Sequence, residues 1–315
     1  MQTLTTAFIA SVLRRAVLEC IGNNAPVLAS DAEAAELFNS AAAQALKEEI
    51  VAAGRKLWQR QYVDGNGGNI SVRLTDEYIL CTPTLCSKGD MTADDLSLVD
   101  LENRQICGDR AQTSEILLHL EIYKAVPTAR AVIHCHPPYA TAHAVAGVIP
   151  RGDLIPEQEV FVGPLALAPY ETPGTMAFAR TVLPFVQEHN TILLTNHGVV
   201  CWADTVAHAE WYAEVVENYC KIVTIASQLG TPIRQIPAEK IPGLLAMKKK
   251  LGLPDPRLAE EYARLGGNHS HAGQSTGSIE RRTAGAGRHT PRSEEVDELV
   301  ERLTSQVLAL LEKSE

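Results

Sequence analysis

Short apolar runs alternate with longer segments of helical periodicity through the middle of the chain. Residues 70–74 alternate between apolar and polar positions, which indicates a strand, and residues 77–82 provide its partner in a hairpin. Similar short runs predict strands at 131–134, 164–170 and 191–195. Because helical patterns separate these runs, the sequence predicts an α/β protein with a central mixed or antiparallel sheet and helices on its faces.

Apolar residues recur at helical spacing between and after these strands. The segments that share this periodicity are 31–64, 113–125, the stretch that follows Pro138, and 205–229. Thr113 or Ser114 is the predicted N-cap of the second of these helices, and Asp204 is that of the last.

Both ends of the chain carry an amphipathic segment outside the region of predicted strands. Residues 1–30 and 293–315 each have the apolar spacing of one helix. Residues 266–292 contain almost no large apolar side chain, so we expect a flexible linker there and a globular domain at 31–265. The helix after the linker is expected to bind a partner, with packing on its own domain as the alternative.

Composition and charge exclude several classes of protein. The net charge of −10 argues against nucleic acid as the main partner. Seven cysteines occur without a CxxC spacing, which suits a reducing compartment. No apolar run reaches the roughly 18 residues that cross a bilayer, and the apolar start is interrupted by charge, unlike a secretory signal. We therefore expect a cytoplasmic protein with no membrane or nucleic-acid partner.

His134-Cys135-His136 is the pattern with the most specific chemistry. It continues a short apolar strand, and strand side chains alternate, so both imidazoles lie on one face. Asn196-His197-Gly198 follows another apolar run and is the best candidate for a third ligand. Three histidines with an open coordination position describe a catalytic site of the zinc type. The alternative for His134 and His136 is two structural histidines on a half-buried strand.

Glu115 and two loops add groups that suit an anionic substrate. Glu115 lies at the start of a predicted helix, where the helix dipole favours an ionised carboxylate. The glycine turn at Gly68-Asn69 and the helix start at Thr113-Ser114 expose backbone N–H groups that suit a phosphate. Lys88 adds a cation, although an exposed lysine is usually only solvated.

The remaining histidines have no comparable constellation. His269 and His271 repeat the spacing of the strand pair, but they lie in the predicted linker without a third ligand. The histidines in or near helical segments are expected to be structural, namely His119, His143, His189 and His208.

In chain order, six short motifs resemble those of the class II aldolase/adducin family, which includes the L-fuculose-1-phosphate and L-rhamnulose-1-phosphate aldolases. The motifs are Gly68-Asn69-Ile70-Ser71-Val72-Arg73, Thr82-Pro83-Thr84, Thr113-Ser114-Glu115, His134-x-His136, Ala168-Pro169-Tyr170 and Asn196-His197-Gly198. The resemblance covers about residues 37–229.

The resemblance implies an α/β/α sandwich around a mostly antiparallel sheet, and a homotetramer with sites at subunit interfaces. It implies that His134, His136 and His197 bind Zn²⁺, with other divalent metals as alternatives. Glu115 matches the position of the acid/base and is a candidate fourth ligand. The substrate-phosphate positions that it implies are Asn69, Thr84, Thr113 and Ser114.

The reaction expected from the resemblance is retro-aldol cleavage of a deoxyketose 1-phosphate, fuculose or rhamnulose 1-phosphate, to dihydroxyacetone phosphate and lactaldehyde. The alternatives are a pentulose-phosphate 4-epimerase, a sugar-phosphate dehydratase at the same metal, and an adducin-like scaffold without activity. The sequence departs from the pattern at Leu85, where many of these aldolases have glycine, and near Ile155, where some members have a tyrosine.

The two terminal helices are additional to the family's core. The segment at 293–315 on its linker resembles the encapsulation peptides that direct enzymes to bacterial microcompartments. Shell proteins are therefore expected partners, and the interior of a microcompartment is the expected location.

Overall fold

The computed structural model describes residues 31–258. The predicted N-terminal helix, the linker with His269 and His271, and the C-terminal helix lie outside the described residues. Within them, no helix is both long and apolar enough to span a membrane.

One eight-stranded sheet organises the described part of the chain. Its strands are β1 (Asn69–Arg73), β2 (Tyr78–Cys81), β3 (Ser97–Asp100), β4 (Gln105–Cys107), β5 (Ala131–Cys135), β6 (Ala166–Ala168), β7 (Thr191–Leu194) and β8 (Gly198–Ala203). Their order across the sheet is β4-β3-β2-β1-β5-β8-β7-β6. Only the β6–β7 pair is parallel, so the prediction of a mostly antiparallel sheet is confirmed.

Helices cover both faces of this sheet. The helices of the described residues are α1 (Asp31–Phe38), α2 (Ala41–Gln59), α3 (Ile116–Ala125), α4 (Pro138–Ala146), α5 (Met176–Arg180), α6 (Val206–Ser227) and α7 (Ile241–Lys250), of which α1 is described only by itself. Short 3₁₀ turns occur at Ala93–Asp95 and Ala238–Lys240, and a π-helical turn occurs at Gln158–Val162.

The main hydrophobic core lies between one face of the sheet and helices α3 and α5. Val132 of β5, Ile192 of β7 and Trp202 of β8 are among the side chains buried there. Helix α2 contacts β1, and α6 contacts β5 and β8, but neither helix contributes to that core, so both cover the opposite face. The α/β/α sandwich expected from the sequence is therefore confirmed.

Strand β1 carries polar side chains on the face that α3 covers. Ser71 is the cross-strand neighbour of Cys81 and of Val132, both of which belong to the main core. Because strand side chains alternate, Asn69 and Arg73 share that face with Ser71. All three are buried, so this polar row must find hydrogen-bond partners inside the protein.

Two predicted helix caps are wrong. Thr205, rather than Asp204, caps α6, since its side chain accepts a hydrogen bond from the backbone N–H of His208 at 3.1 Å. Glu115 itself is the N-cap residue of α3 and makes no side-chain capping bond. The Thr113 side chain instead accepts a hydrogen bond from the Glu115 N–H at 3.4 Å. Thr113 and Ser114 therefore belong to the turn that precedes α3.

Candidate metal centre

Four chain segments meet at one end of the sheet, beneath the start of α3. His134 is the last residue but one of β5 and lies opposite Asn69 at the start of β1. His136 follows β5, and His197 lies in the tight turn that joins β7 to β8. Glu115 enters from the N-terminus of α3. Asn69 and His197 therefore lie at the same end of the sheet, although they are 128 positions apart in the sequence.

The three imidazoles converge on one point. Their potential ligand nitrogens all lie within 4.8 Å of one another, and the Nε2 atoms of His134 and His136 are 3.0 Å apart. Within residues 31–258, no other group of three His, Cys, Asp or Glu side chains has this geometry. The structure thus brings together the three histidines that the sequence suggested as ligands.

Hydrogen bonding and burial leave nitrogen lone pairs on these rings. The Nδ1 of His134 lies 2.9 Å from the carbonyl oxygen of Val199. A carbonyl can only accept, so Nδ1 carries the proton and Nε2 keeps its lone pair. Burial lowers the pKa of His134, His136 and His197 below the ordinary value of histidine. Neutral imidazoles are the form that binds a metal ion.

The carboxylate of Glu115 faces two of the rings. One of its oxygens lies 3.3 Å from Nε2 of His134, and the other lies 3.5 Å from Nε2 of His197. Burial raises the pKa of Glu115, and the opposing influences of His197, Asn69 and Lys88 do not cancel this effect. From the helix dipole, the sequence predicted that the ionised form of this carboxylate is favoured. The effect of burial on the pKa is larger than the effect of the helix N-terminus.

The donor set fits a divalent transition metal. Three buried imidazole nitrogens with a carboxylate beside them are the ligands that zinc accepts at catalytic sites. The Nδ1 atom of His197 is buried and has no hydrogen-bond partner among the described residues. The lone pair on Nε2 of His134 lies 3.0 Å from Nε2 of His136, and a bound cation is what relieves the crowding of such acceptor groups.

Two glycines allow the segments to come this close. A Cβ on Gly198 would lie 2.5 Å from the Cys135 carbonyl oxygen and 2.7 Å from Cδ2 of His136. Gly68 has a φ of +68°, and a Cβ there would meet the Val63 side chain and lie 2.9 Å from the His134 carbonyl oxygen. Larger residues would push the ligand-bearing strands apart.

The residues suggested for phosphate lie on loops around this centre. The N–H of Thr113 donates to the Thr82 carbonyl at 3.0 Å, and the N–H of Thr84 donates to the Ala111 carbonyl at 2.9 Å. These bonds hold the loop of Thr84 beside the loop of Thr113 and Ser114. Thr113 is buried, whereas Ser114 is exposed.

Lys88 is buried, so the alternative of a solvated surface lysine is wrong. Its ammonium donates to the carbonyl oxygens of Cys86 at 2.7 Å and Asn66 at 3.3 Å. Burial lowers the pKa of Lys88 to about 8. Its charge acts on Glu115 and His136, so it lies within electrostatic reach of the metal centre and ties the glycine turn to the loop that follows Thr84.

Leu85 occupies a strained position at the edge of the site. It has a φ of +51°, which favours glycine, and its side chain is 75% exposed. The glycine that the family resemblance implies after this Thr-Pro-Thr motif would therefore be the residue type that the backbone prefers.

Two acidic side chains, Glu157 and Glu159, lie near Ile155, where the family resemblance implies a tyrosine. Glu159 is buried and pairs with Arg257 at 2.8 Å, and it also accepts from the Asp153 N–H at 2.8 Å. It belongs to a separate ionic cluster. Glu157 lines a different small cleft with Tyr62 and Asn218.

Sequence reasoning missed the part that His119 plays in this region. The residue is fully buried and lies 2.6 Å from Asn69 Oδ1, which in turn neighbours Glu115. The available signal was its spacing, because His119 follows Glu115 by four positions and so lies near it on a helix that starts there.

A larger cleft, of about 630 Å³, lies at the opposite end of the sheet. Its walls include Trp202, Trp211, Tyr212 and Phe161, and none of the predicted site residues lines it. The converging ligands therefore lie outside this cleft.

The part of the chain that carries these residues is similar to known proteins. The family described as Class II Aldolase and Adducin N-terminal domain matches residues 48–224, more than half of the chain. A Haemophilus influenzae protein named 3-oxo-tetronate 4-phosphate decarboxylase is 33% identical over 182 residues, which cover 56% of this chain and 86% of that protein.

An L-fuculose phosphate aldolase of Methanococcus maripaludis is also 33% identical over 182 residues, which cover 58% of this chain and 97% of that protein. Among solved structures, YgbL of Escherichia coli, a proposed aldolase, epimerase or decarboxylase, is similar with a TM-score of 0.60 and 28% identity. That similarity covers 64% of this chain and 98% of YgbL.

Proposed function

The chain belongs to the class II aldolase and adducin family, and we propose that it is a metal-dependent lyase that breaks a carbon–carbon bond of a phosphorylated ketose. The observation that carries this proposal is the convergence of three neutral imidazoles and one carboxylate at the sheet end. Zn²⁺ is the proposed ion, held by His134, His136 and His197. As a Lewis acid, such an ion stabilises negative charge on substrate oxygens.

The preferred reaction is retro-aldol cleavage of fuculose or rhamnulose 1-phosphate to dihydroxyacetone phosphate and lactaldehyde. The bond between C3 and C4 breaks, the C4 hydroxyl loses its proton, and the electron pair stays on the ketose fragment as an enediolate. Glu115 lies beside the imidazoles and is the group proposed to deliver a proton to C3. The relative of Methanococcus maripaludis named L-fuculose phosphate aldolase supports this choice.

Decarboxylation is the second candidate, and the relative named 3-oxo-tetronate 4-phosphate decarboxylase favours it at the same 33% identity. A 3-oxo acid loses CO₂ from the carbon beside its ketone. For this four-carbon phosphate, the remaining fragment is again the enediolate of dihydroxyacetone phosphate. Both reactions therefore require the same proton delivery by Glu115, and they differ in the fragment that leaves.

The loops around the centre are proposed to hold the substrate phosphate. The residues in this role are Gly68, Asn69, Thr84, Lys88, Thr113 and Ser114. Backbone N–H groups in a glycine turn and before a helix suit phosphate oxygens. Phosphate bound at a distance from the reacting carbons supplies binding energy that orients the bond to be broken.

The shared half-reaction provides the test. Zinc-loaded full-length protein is incubated with dihydroxyacetone phosphate in D₂O, and exchange of hydrogen at the hydroxymethyl carbon is followed by NMR. We expect exchange in the wild type and a loss of about a thousandfold in Glu115→Gln, with zinc content unchanged. Equal exchange in the variant would remove Glu115 from its proposed role, and wild-type protein that takes up no divalent metal would overturn the proposed lyase.

A substrate panel then separates the two reactions. Fuculose and rhamnulose 1-phosphates and 3-oxo-tetronate 4-phosphate are each assayed for dihydroxyacetone phosphate, with CO₂ measured in parallel. Dihydroxyacetone phosphate formed without CO₂ supports the retro-aldol reaction. Dihydroxyacetone phosphate formed with equimolar CO₂ supports decarboxylation instead. A pentulose phosphate that is epimerised without cleavage would contradict both.

We also propose that the protein is a homotetramer in the cytoplasm. Contacts of residues 293–315 with shell proteins would enclose it in a bacterial microcompartment. The support is the apolar spacing of that segment after its linker. A fluorescent protein fused to residues 266–315 should collect in assembled shells, and diffuse fluorescence there would contradict the targeting. Sedimentation of the full chain checks the tetramer.

A further inference from the structure

A chain of hydrogen bonds runs beneath α3 from the core to Glu115. Ser71 Oγ lies 2.6 Å from Nδ1 of His119, and Nε2 of His119 lies 2.6 Å from Oδ1 of Asn69. Nδ2 of Asn69 donates to Oε2 of Glu115 at 3.4 Å. The first two side chains are fully buried, and that of Asn69 is 5% exposed, so these contacts form away from solvent.

With the carboxylate of Glu115 ionised, one arrangement of protons satisfies every contact in this chain. Burial lowers the pKa of His119 to about 3, so the ring is neutral and carries a single N–H. The carbonyl oxygen of Asn69 can only accept, which places that proton on Nε2 and leaves Nδ1 as an acceptor. Ser71 must then donate its hydroxyl proton to Nδ1.

The partner on the other side of Ser71 is consistent with this direction. The hydroxyl of Tyr123 donates to the backbone carbonyl of Ser71 at 2.9 Å and also lies 2.9 Å from Ser71 Oγ. Because the Tyr123 proton points to the carbonyl, Ser71 keeps its own proton for His119. The order of donation is therefore from Ser71 through His119 and Asn69 to Glu115.

The ionised carboxylate of Glu115 and the His119 ring require the same orientation of the Asn69 amide between them. A reversed amide would place Oδ1 against Glu115, where two acceptors repel each other. It would also present Nδ2 to the Nε2–H of His119, leaving two donors in contact. The fixed ring thus holds the amide with its donor side toward Glu115.

We propose that His119 and Ser71 are positioning residues, which lock the Asn69 amide so that its Nδ2 holds the Glu115 carboxylate in place for proton transfer to the substrate carbon. The proposal rests on the acid/base role proposed for Glu115. It gives a task to a buried histidine that is otherwise only a core residue. Its effect should appear in kcat rather than in KM, because His119 and Glu115 engage the side-chain amide of Asn69, which leaves only the backbone of Asn69 for the substrate phosphate.

A double-mutant cycle separates this lock from simple packing. The variants are His119→Asn, Asn69→Ala and the combination of both, each zinc-loaded and full-length, with exchange of dihydroxyacetone phosphate hydrogen as the assay. Asparagine is too short to reach Asn69. We expect His119→Asn to lower kcat about tenfold or more, which is about 1.4 kcal/mol per tenfold, with KM changed by less than about twofold.

The two effects should not add. In the Asn69→Ala background, the same His119→Asn change should have almost no further effect on kcat, because the lock has nothing left to hold. His119→Gln, whose longer side chain carries a donor toward Asn69, should recover part of the lost rate. An equal loss of kcat in both backgrounds would overturn the proposal, as would wild-type kcat in folded, zinc-loaded His119→Asn.

His189→Asn is the matched control for the loss of a buried imidazole. His189 is 8% exposed, and its Nδ1 lies 2.9 Å from the Pro164 carbonyl oxygen, away from the metal centre. This variant should lose stability without losing kcat. If its kcat fell as far as that of His119→Asn, the effect would be one of packing and the lock would be rejected.

A measurement without catalysis keeps this inference separate from the proposed function. The ¹⁵N chemical shifts of a histidine ring distinguish its protonated nitrogen from its unprotonated one. We expect His119 to show Nε2–H and bare Nδ1 in the wild type and a mixture of both tautomers in Ser71→Ala. A wild-type ring protonated on Nδ1 would overturn the lock, whichever reaction the protein catalyses. The expected tautomer in a protein without lyase activity would instead reject only the proposed function.

Discussion

Two buried clusters of ionisable side chains in this protein have opposite chemistry. The ionic cluster consists of Glu159, Lys248, Asp255 and Arg257, and the metal centre consists of Glu115 and the three histidines. In the ionic cluster, Lys248 donates to Asp255 at 3.0 Å and to the Val162 carbonyl at 2.8 Å. Arg257 donates to both Asp255 and Glu159. Each carboxylate there has a cation beside it.

The metal centre lacks this compensation. Its rings are neutral, its carboxylate is the main charge, and Nδ1 of His197 has no partner among the described residues. A cluster that satisfies its own groups needs nothing further and stabilises the fold. One that leaves lone pairs directed at a common point is suited to bind something, at a cost to the stability of the unliganded protein.

The largest expected effect on stability comes from breaking the ionic cluster. Asp255→Ala leaves Lys248 fully buried without its counter-ion, so we expect a loss of about 3–5 kcal/mol in the free energy of unfolding. Urea denaturation of the full chain measures it. The matched control is the double variant Lys248→Met with Asp255→Leu, which removes both charges and should recover most of the loss. Asp255→Ala as stable as the wild type would remove the distinction between the clusters.

At the metal centre, the expected effect depends on zinc. His197→Ala should leave the free energy of unfolding of the zinc-free protein within about 1 kcal/mol of the wild type, since the ring has an unpartnered nitrogen. Zinc at a hundredfold excess over its Kd should stabilise the wild type by about 2.7 kcal/mol and should not stabilise the variant. Titration with a chelator during thermal denaturation follows both states.

A different outcome would make the two clusters alike. If His197→Ala were destabilised in zinc-free buffer as strongly as Asp255→Ala, the histidines would be structural. Stabilisation of the variant by zinc to the same extent as the wild type would exclude His197 as a ligand.

The smallest effect is expected at Leu85, on the loop that borders the metal centre. Replacing it with glycine relieves the cost of its left-handed φ, which outweighs the added entropy of the unfolded chain, so we expect a gain of about 0.5–1 kcal/mol. Leu85→Ala keeps the strained backbone and serves as the control without a gain. Equal stability of the two variants, in the same urea titration, would show that the backbone there is unstrained.

Local patterns were sufficient for much of the fold. The alternation at 70–74 and the apolar runs before His134 and His197 predicted strands that the structure contains. Strands β3, β4 and β8 were missed. Gly198–Ala203 is buried at every position, so it lacks the alternation that marks a half-exposed strand.

Side-chain environments were harder to predict than elements. The sequence did not reveal that Lys88 is buried or that His119 has a partner 50 positions away, because neither property is visible in the neighbouring residues. The helix start at Glu115 was predicted almost correctly, but the direction of its pKa was not, since desolvation by distant segments outweighs the local dipole.

The sequence by itself determined which donor groups exist and on which strand face His134 and His136 lie, because both follow from residue type and a period of two. Tertiary structure alone decided that β1, β5, the turn before β8 and the start of α3 meet at one end of the sheet. It also decided which groups there are neutral and how the Asn69 amide is turned. These properties depend on burial and on hydrogen bonds between distant segments, and only the packed chain brings those segments together.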